Sequence, residues 1–133
     1  MKAVKARLTR ALPIGAWVET CDNSGAKICK ITTVCGLKTV KGRKPTAALG
    51  DLLYVSVVSG KPDMRKQVVP ALIVRQKKPW RRIDGIRIGF EDNACVVLKD
   101  EQGNPKGTMI KGPIPKEIVE RYPAVAKIAS IIV

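Results

Sequence analysis

Residues 51–75 read DLLYVSVVSGKPDMRKQVVPALIVR. The first part, 51–59, is apolar or small on both faces of an extended chain, as suits a strand inside a closed or well-covered sheet. GKPDMRK (60–66) brings Gly, Pro and Asp together, the residues that turn a chain. QVVPALIVR (67–75) is a second run rich in β-branched residues and reads as a second strand. Pro70 has no N–H to give to a ladder, so that strand is expected at a sheet edge or with a bulge there.

The same pattern extends outward on both sides. AWVETC (16–21) alternates and then meets the turn residues Asp22, Asn23, Ser24 and Gly25. AKICKITTVCG (26–36) places Ile28, Lys30 and Thr32 on one face, with Cys29, Ile31 and Thr33 on the other. LKTVKGRKPTAALG (37–50) reads as a basic loop. Downstream, Asp84-Gly85 between apolar segments signals a hairpin turn, IRIGF (86–90) and ACVVLK (94–99) are extended, and DEQGNPKG (100–107) is a loop. Only the C-terminal part has helical spacing. In IPKEIVERY (114–122), Pro115 suits a first turn, Ile118, Val119 and Tyr122 share a face, and Glu117 stands four residues before Arg121. Pro123 starts a second short turn with Val125, Ile128 and Ala129 to bury, and the apolar tail 131–133 is expected to pack. The fold class is therefore mainly β, a small barrel or sandwich of short strands with a short helical C-terminal segment. One domain over 1–133 is expected: an N-terminal extension (1–14), strands with basic loops (15–99), then loop and short helices (100–133).

Hydrophobic residues make up 45% of the 133 residues and aromatics only 4%, so the core must be built from Val, Ile, Leu and Ala. Lys and Arg number 25 against 11 acids, a formal charge of +14 that speaks of an anionic partner. The charge is uneven. Residues 27–44 hold six positive residues and no acid, and 61–82 hold eight against Asp63 alone, whereas 99–133 hold six positives and four acids. A surface built only for solubility mixes both signs. No stretch is long and apolar enough to span a bilayer, and the N-terminus lacks a signal-peptide core, so a soluble cytoplasmic protein with no membrane partner is expected.

Catalytic constellations are missing. With no histidine there is no ordinary general base and no Ser-His or Cys-His nucleophile. GRKPTAALGD lacks the Gly-Lys-Ser/Thr of a P-loop. Glu91 and Asp92 are adjacent and would point to opposite faces of a strand, so pairing with a nearby Arg or Lys is their simpler role. Cys21, Cys29, Cys35 and Cys95 have no zinc spacing and read as small buried thiols. No enzyme, metal, cofactor or small-molecule substrate is expected.

RQKKPWRRIDG (75–85) lies between apolar runs, a charged excursion held by two strands. Its cations suit phosphates, which supply affinity without reading sequence. Trp80 could stack on a base or fold back as a lid on the core, and both readings stay open. With no helix-turn-helix, zinc finger or long basic helix, folded RNA is favoured over duplex DNA.

Residues 71–97 contain Ala71-Leu72-Ile73-Val74, nine residues, Asp84-Gly85, four residues, Phe90, two residues, Asn93, two residues, then Val96-Val97. With DNSGAK (22–27), Gly50-Asp51, the basic run ending at Arg82, FEDNA (90–94) and KGTMIKGPI (106–114), this order closely resembles the ribosomal protein L fourteen family of the large subunit, in its archaeal and eukaryotic branch. Trp80 departs from the family pattern. The resemblance implies a five-stranded β-barrel followed by loops and small helices. It implies binding to large-subunit rRNA at the face that meets the small subunit, with contributions to intersubunit bridges. The implied partners are large-subunit rRNA, neighbouring large-subunit proteins, small-subunit rRNA across the interface and an anti-association initiation factor; a free-standing RNA chaperone or translational repressor is the alternative. rRNA contact is expected at Lys38, Lys41, Arg43, Lys44, Arg65, Lys66, Arg75, Lys77, Lys78, Trp80, Arg81 and Arg82. Asp22, Asn23, Ser24, Gly25, Asp84 and Gly85 are expected as structural turns, with Phe90 as core. Thr108, Ile110, Pro113, Ile118 and Tyr122 are expected to touch other proteins, because the C-terminal part lacks the basic excess that phosphates reward.

Overall fold

The computed structural model describes residues 2–133. In chain order its strands are β1 (Ala6–Arg7), β2 (Leu12–Pro13), β3 (Trp17–Thr20), β4 (Ala26–Val34), β5 (Thr46–Ala47), β6 (Leu52–Gly60), β7 (Val68–Arg75), β8 (Trp80–Arg82), β9 (Arg87–Ile88), β10 (Ala94–Val97) and β11 (Pro113–Ile114). Helices α1 (Lys116–Arg121) and α2 (Pro123–Ala126) follow, then β12 (Ile131–Ile132). Five strands close a barrel in the order β10-β3-β4-β6-β7. All its pairings are antiparallel except one: β10 runs parallel to β3, with Ala94 opposite Glu19 and Cys95 opposite Thr20.

The barrel interior is what the β-branched composition allows. Val18, Cys29, Ile31, Leu53, Val55, Val57, Ala71, Ile73, Cys95 and Val97 point inward and are buried. Each Val, Ile or Leu taken from water contributes about 1.5–3 kcal/mol. A second apolar cluster lies against the outer face of β7 and β10. There Leu72, Val74, Ala94 and Val96 are covered by Leu49, Trp80, Ile110, Ile114, Ile118, Tyr122 and Val125. Both faces of β10, and of β7 from Ala71 onward, are therefore dry, which explains why these stretches are apolar without alternation.

Several expectations are corrected. A closed barrel has no edge for Pro70. It faces Tyr54 on β6 without a register shift, and its carbonyl accepts Leu98 N at 2.9 Å, one residue past the end of β10, so the missing N–H falls where the ladder has stopped. Thr33 is exposed and Val34 buried, because β4 slips register against β6 between Ile31 and Thr33 and reverses the alternation there. The loop 37–50 is basic only in its first half; Ala47, Ala48 and Leu49 are core, and β5 pairs with β2. The N-terminal segment is likewise paired into the fold, β1 on β8 and β2 on β5. Cys35 is exposed, unlike the other three thiols. The tail Ile131, Ile132 and Val133 also stays exposed, although β12 is held in parallel register with β11.

Candidate nucleic-acid interface

The stretch 75–88 is built on parity. β8 is the middle strand of a three-stranded sheet, with β1 on one side and β9 on the other. Successive residues of a strand face opposite sides. Trp80 and Arg82 face inward together with Ala6 and Ile88, and Arg81 faces out.

Trp80 is fully buried, with its ring centroid 5.7 Å from that of Phe90. It closes the second apolar cluster, so the stacking role is excluded and the lid role stands. Its indole N–H has no hydrogen-bond partner among the described residues. Arg82 is a second correction. Its side chain is 10% exposed and meets Glu117, itself 3% exposed, through Nε to Oε1 at 2.7 Å and Nη2 to Oε2 at 3.1 Å. Nη2 also donates to the Val133 carbonyl at 2.8 Å. Three of its five N–H donors are taken by the protein, and they tie β8 to α1 and the tail. Glu117 therefore turns to Arg82 rather than to Arg121.

Arg75 is a third correction. It is buried, donating from Nε and Nη2 to the two Asp92 oxygens at 2.9 Å each, and from Nη1 to the carbonyls of Lys111 at 2.8 Å and Pro113 at 3.3 Å. A Cβ on Gly112 would sit 2.5 Å from Nη1, so glycine is required for the carbonyls to approach. A forked cation in such a cage is a staple between loops, not a hand for phosphate.

The remaining basic residues are free to act. Lys38, Lys41, Arg43 and Lys44 are exposed on a loop whose turn is fixed locally. Lys41 and Gly42 take left-handed φ of 59° and 75°, and Thr39 Oγ1 donates to the Arg43 carbonyl at 2.6 Å. Arg65 and Lys66 are exposed on the β6–β7 turn, where Lys66 N donates to the Val57 carbonyl at 3.0 Å and Arg65 Nε to the Gly60 carbonyl at 2.9 Å. Lys77 and Lys78 ride on a segment pinned beneath them. Buried Gln76 accepts Leu49 N at 3.0 Å and donates to the carbonyls of Thr9 and Lys78, while Asn93 Oδ1 accepts Lys77 N at 2.8 Å.

The turns do structural work. Asp22 is buried; Oδ2 accepts Val97 N at 3.0 Å and Oδ1 accepts the Ser24 hydroxyl at 2.7 Å. Burial raises its pKa above the ordinary value despite those bonds. Asn23 clasps Thr108 through both amide atoms, and Gly25 has a φ of 104°. Asp84 Oδ1 accepts Ile86 N at 3.0 Å and Gly85 has a φ of 89°, forming the β8–β9 hairpin. Beside Asp22, burial pushes the Cys21 thiol up to about 12, with Arg75 opposing.

Ile110, Ile118 and Tyr122 are corrected too. They are core residues of the second cluster and unavailable to another protein. Thr108 is exposed and Pro113 half-buried. The exposed apolar side chains nearby are Met109 and the tail.

Two cations that sequence reasoning passed over stand beside Arg81. Arg7 is directly opposite it on β1 and Arg87 directly opposite on β9, and all three are exposed. The available signal was alternation, in Lys5-Ala6-Arg7 and in Ile86-Arg87-Ile88.

The family described as Ribosomal protein L14p/L23e matches residues 11–133. The chain belongs to that family. Relatives named large ribosomal subunit protein uL14 match over all 133 residues of this chain and the whole of their own length. The one from Nanoarchaeum equitans is 56% identical, that from Halobacterium salinarum 50%, and that from Methanoregula boonei 48%. The archaeal source of these relatives agrees with the archaeal and eukaryotic cast of the basic run ending at Arg82 and of FEDNA.

Proposed function

We propose that this chain is a structural constituent of the large ribosomal subunit, located in the cytoplasm, and that it binds large-subunit rRNA. The observation that carries this reading is the set of exposed cations, Lys38, Lys41, Arg43, Lys44, Arg65, Lys66, Lys77 and Lys78 on loops and turns and Arg81 on β8. Among the described residues, none of these forms an ion pair with a carboxylate. A barrel that holds unpaired cations in fixed positions loses little conformational entropy on meeting phosphates. The names of the relatives support the ribosomal assignment.

The chain acts by scaffolding, not turnover. It sits at the face that meets the small subunit, contributing to bridges with small-subunit rRNA and to docking of an anti-association factor. Neighbouring proteins contact the surface around Thr108, Met109, Pro113 and the exposed tail. The test is sedimentation of the native protein from cell lysate at low and high magnesium. Co-migration with large subunits under both conditions is expected. Migration as free protein would overturn the ribosomal reading in favour of a free-standing RNA-binding barrel.

A further inference from the structure

Arg7, Arg81 and Arg87 form one straight row across β1, β8 and β9, because Arg7 pairs with Arg81 and Arg81 with Arg87. Directly opposed residues of antiparallel strands project from the same face, and like charges so placed repel. Neighbouring strands are about 4.8 Å apart, so three guanidinium stems rise in steps of about 5 Å. Among the described residues, none of the three pairs with a carboxylate, although Asp84 lies in the same hairpin; its Oδ1 caps the turn at Ile86 N instead. The inward face of this sheet is spent on the core, through Trp80, Ile88 and the Arg82–Glu117 pair. The β8 and β9 members of the row are thus mounted on a face buried from beneath, and the row is electrostatically unsatisfied above.

We infer that this row is a preassembled cradle for the phosphodiester backbone of one RNA strand, and that its occupancy holds the N-terminal strand against the hairpin. The inference rests on the RNA-binding reading and deepens it by assigning a site that lies on a sheet rather than on the loops. Arginine suits it because a planar fork spans phosphate oxygens where an ammonium makes a point contact. β1 is two residues long, with Ala6 opposite Arg82 and Arg7 opposite Arg81. So short a strand is weakly held when its own side chain is repelled by the strand it joins. A bound phosphate turns that repulsion into a shared attraction, so RNA binding and the docking of β1 support each other.

The test uses the full chain and large-subunit rRNA extracted from ribosomes of the same cells. Association is measured against salt for the natural protein, for R7Q/R81Q/R87Q, and for the charge-keeping R7K/R81K/R87K. Each single-strand phosphate contact contributes about 0.7 to the slope of log affinity on log salt. The Gln variant is expected to lose about two units of slope. The Lys variant should keep most of the slope but bind more weakly. Without RNA, the Gln variant should melt about 3 °C higher than the natural protein, because two like-charge pairs have gone. A loss of slope with a rise in Tm is a signature that a merely structural role for these arginines would not produce. An unchanged slope in the Gln variant, with the natural protein still binding, overturns the cradle and leaves the loops as the rRNA contacts. A fall in Tm without RNA also overturns it, since the arginines would then be holding the fold. If the natural protein itself fails to bind the rRNA, the RNA-binding reading fails and the cradle with it. The R81Q single variant, read by protease cleavage near residue 7 with and without rRNA, follows the second half of the inference. rRNA should protect that site in the natural protein and protect it less in R81Q; equal protection in both overturns the coupling.

Discussion

Arg81 and Arg82 are neighbours of the same type, and the structure assigns them opposite energetics. Arg82→Gln removes two charge-assisted bonds to Glu117 and one to the Val133 carbonyl, leaving a carboxylate whose side chain is 3% exposed. Taking one partner from a buried pair costs about 3–5 kcal/mol, mostly the penalty of the stranded charge. Against a total stability of about 5–15 kcal/mol, that is a large fraction. Arg81→Gln strands nothing and, because Arg81 is the middle member of both like-charge pairs, should leave the protein about 0–1 kcal/mol more stable. With a urea slope of about 2 kcal/mol per molar, the Arg82 variant should unfold about 2 M earlier. Replacing both partners, R82M with E117M, should cost less than either single change, because no buried charge remains. Urea unfolding followed by circular dichroism reads the natural protein, R81Q, R82Q, the singles R82M and E117M, and the double variant. If R82Q and R81Q unfold within about 0.5 kcal/mol of one another, or if the double variant is the sum of its singles, the ion pair is not the staple described here.

Other outcomes follow from single residues. With Trp17 changed to Phe, the remaining Trp80 should emit as a buried indole and resist acrylamide quenching equally with and without RNA; quenching by RNA would return it to the interface. Trp80→Ala should cost about 3–5 kcal/mol in the same unfolding assay. Gly60→Ala would set a Cβ 2.5 Å from the Gly25 carbonyl oxygen, so a loss of about 1–3 kcal/mol is expected, and a neutral result would show that the Gly25–Ala26 backbone yields. The Cys21 thiol has its folded pKa raised to about 12 from 9.0, so the folded state keeps a proton that the unfolded chain releases. Stability from this group is complete below about pH 9 and declines above it, by about 1.4 kcal/mol per pH unit, up to the folded pKa. Cys21→Ala should flatten the alkaline limb by that amount, and an unchanged limb would mean the thiol is not held protonated.

The barrel was legible because its signals are local. The runs 52–60 and 68–75 announce strands by β-branched content, and Asp22-Asn23-Ser24-Gly25 announces its turn by an aspartate that accepts the backbone N–H two residues on. The interface was legible only as composition. Whether an arginine faces solvent or core depends on strand parity in a three-residue strand, and β8 takes its parity from β1, far away in sequence. Nothing local distinguishes Arg75 from Lys77 either; the cage around Arg75 comes from Asp92 and from carbonyls at 111 and 113. Ile110, Ile118 and Tyr122 looked available because a short helix has an apolar face, and the outer side of β7 and β10 that claims it cannot be read from the helix.

The barrel's one parallel pairing sets an order of events for a chain emerging from its own synthesis. The barrel closes only when β10 slots between β3 and β7, and the bond from Val97 N to Asp22 Oδ2 joins residues 75 apart. Until then β3 and β7 are open, apolar edges, templates for pairing with other chains. Long-range closure of this kind is slow. The basic loop 38–44 is already outside by that time, so a polyanion can hold the unfinished chains apart while the last stave is still missing.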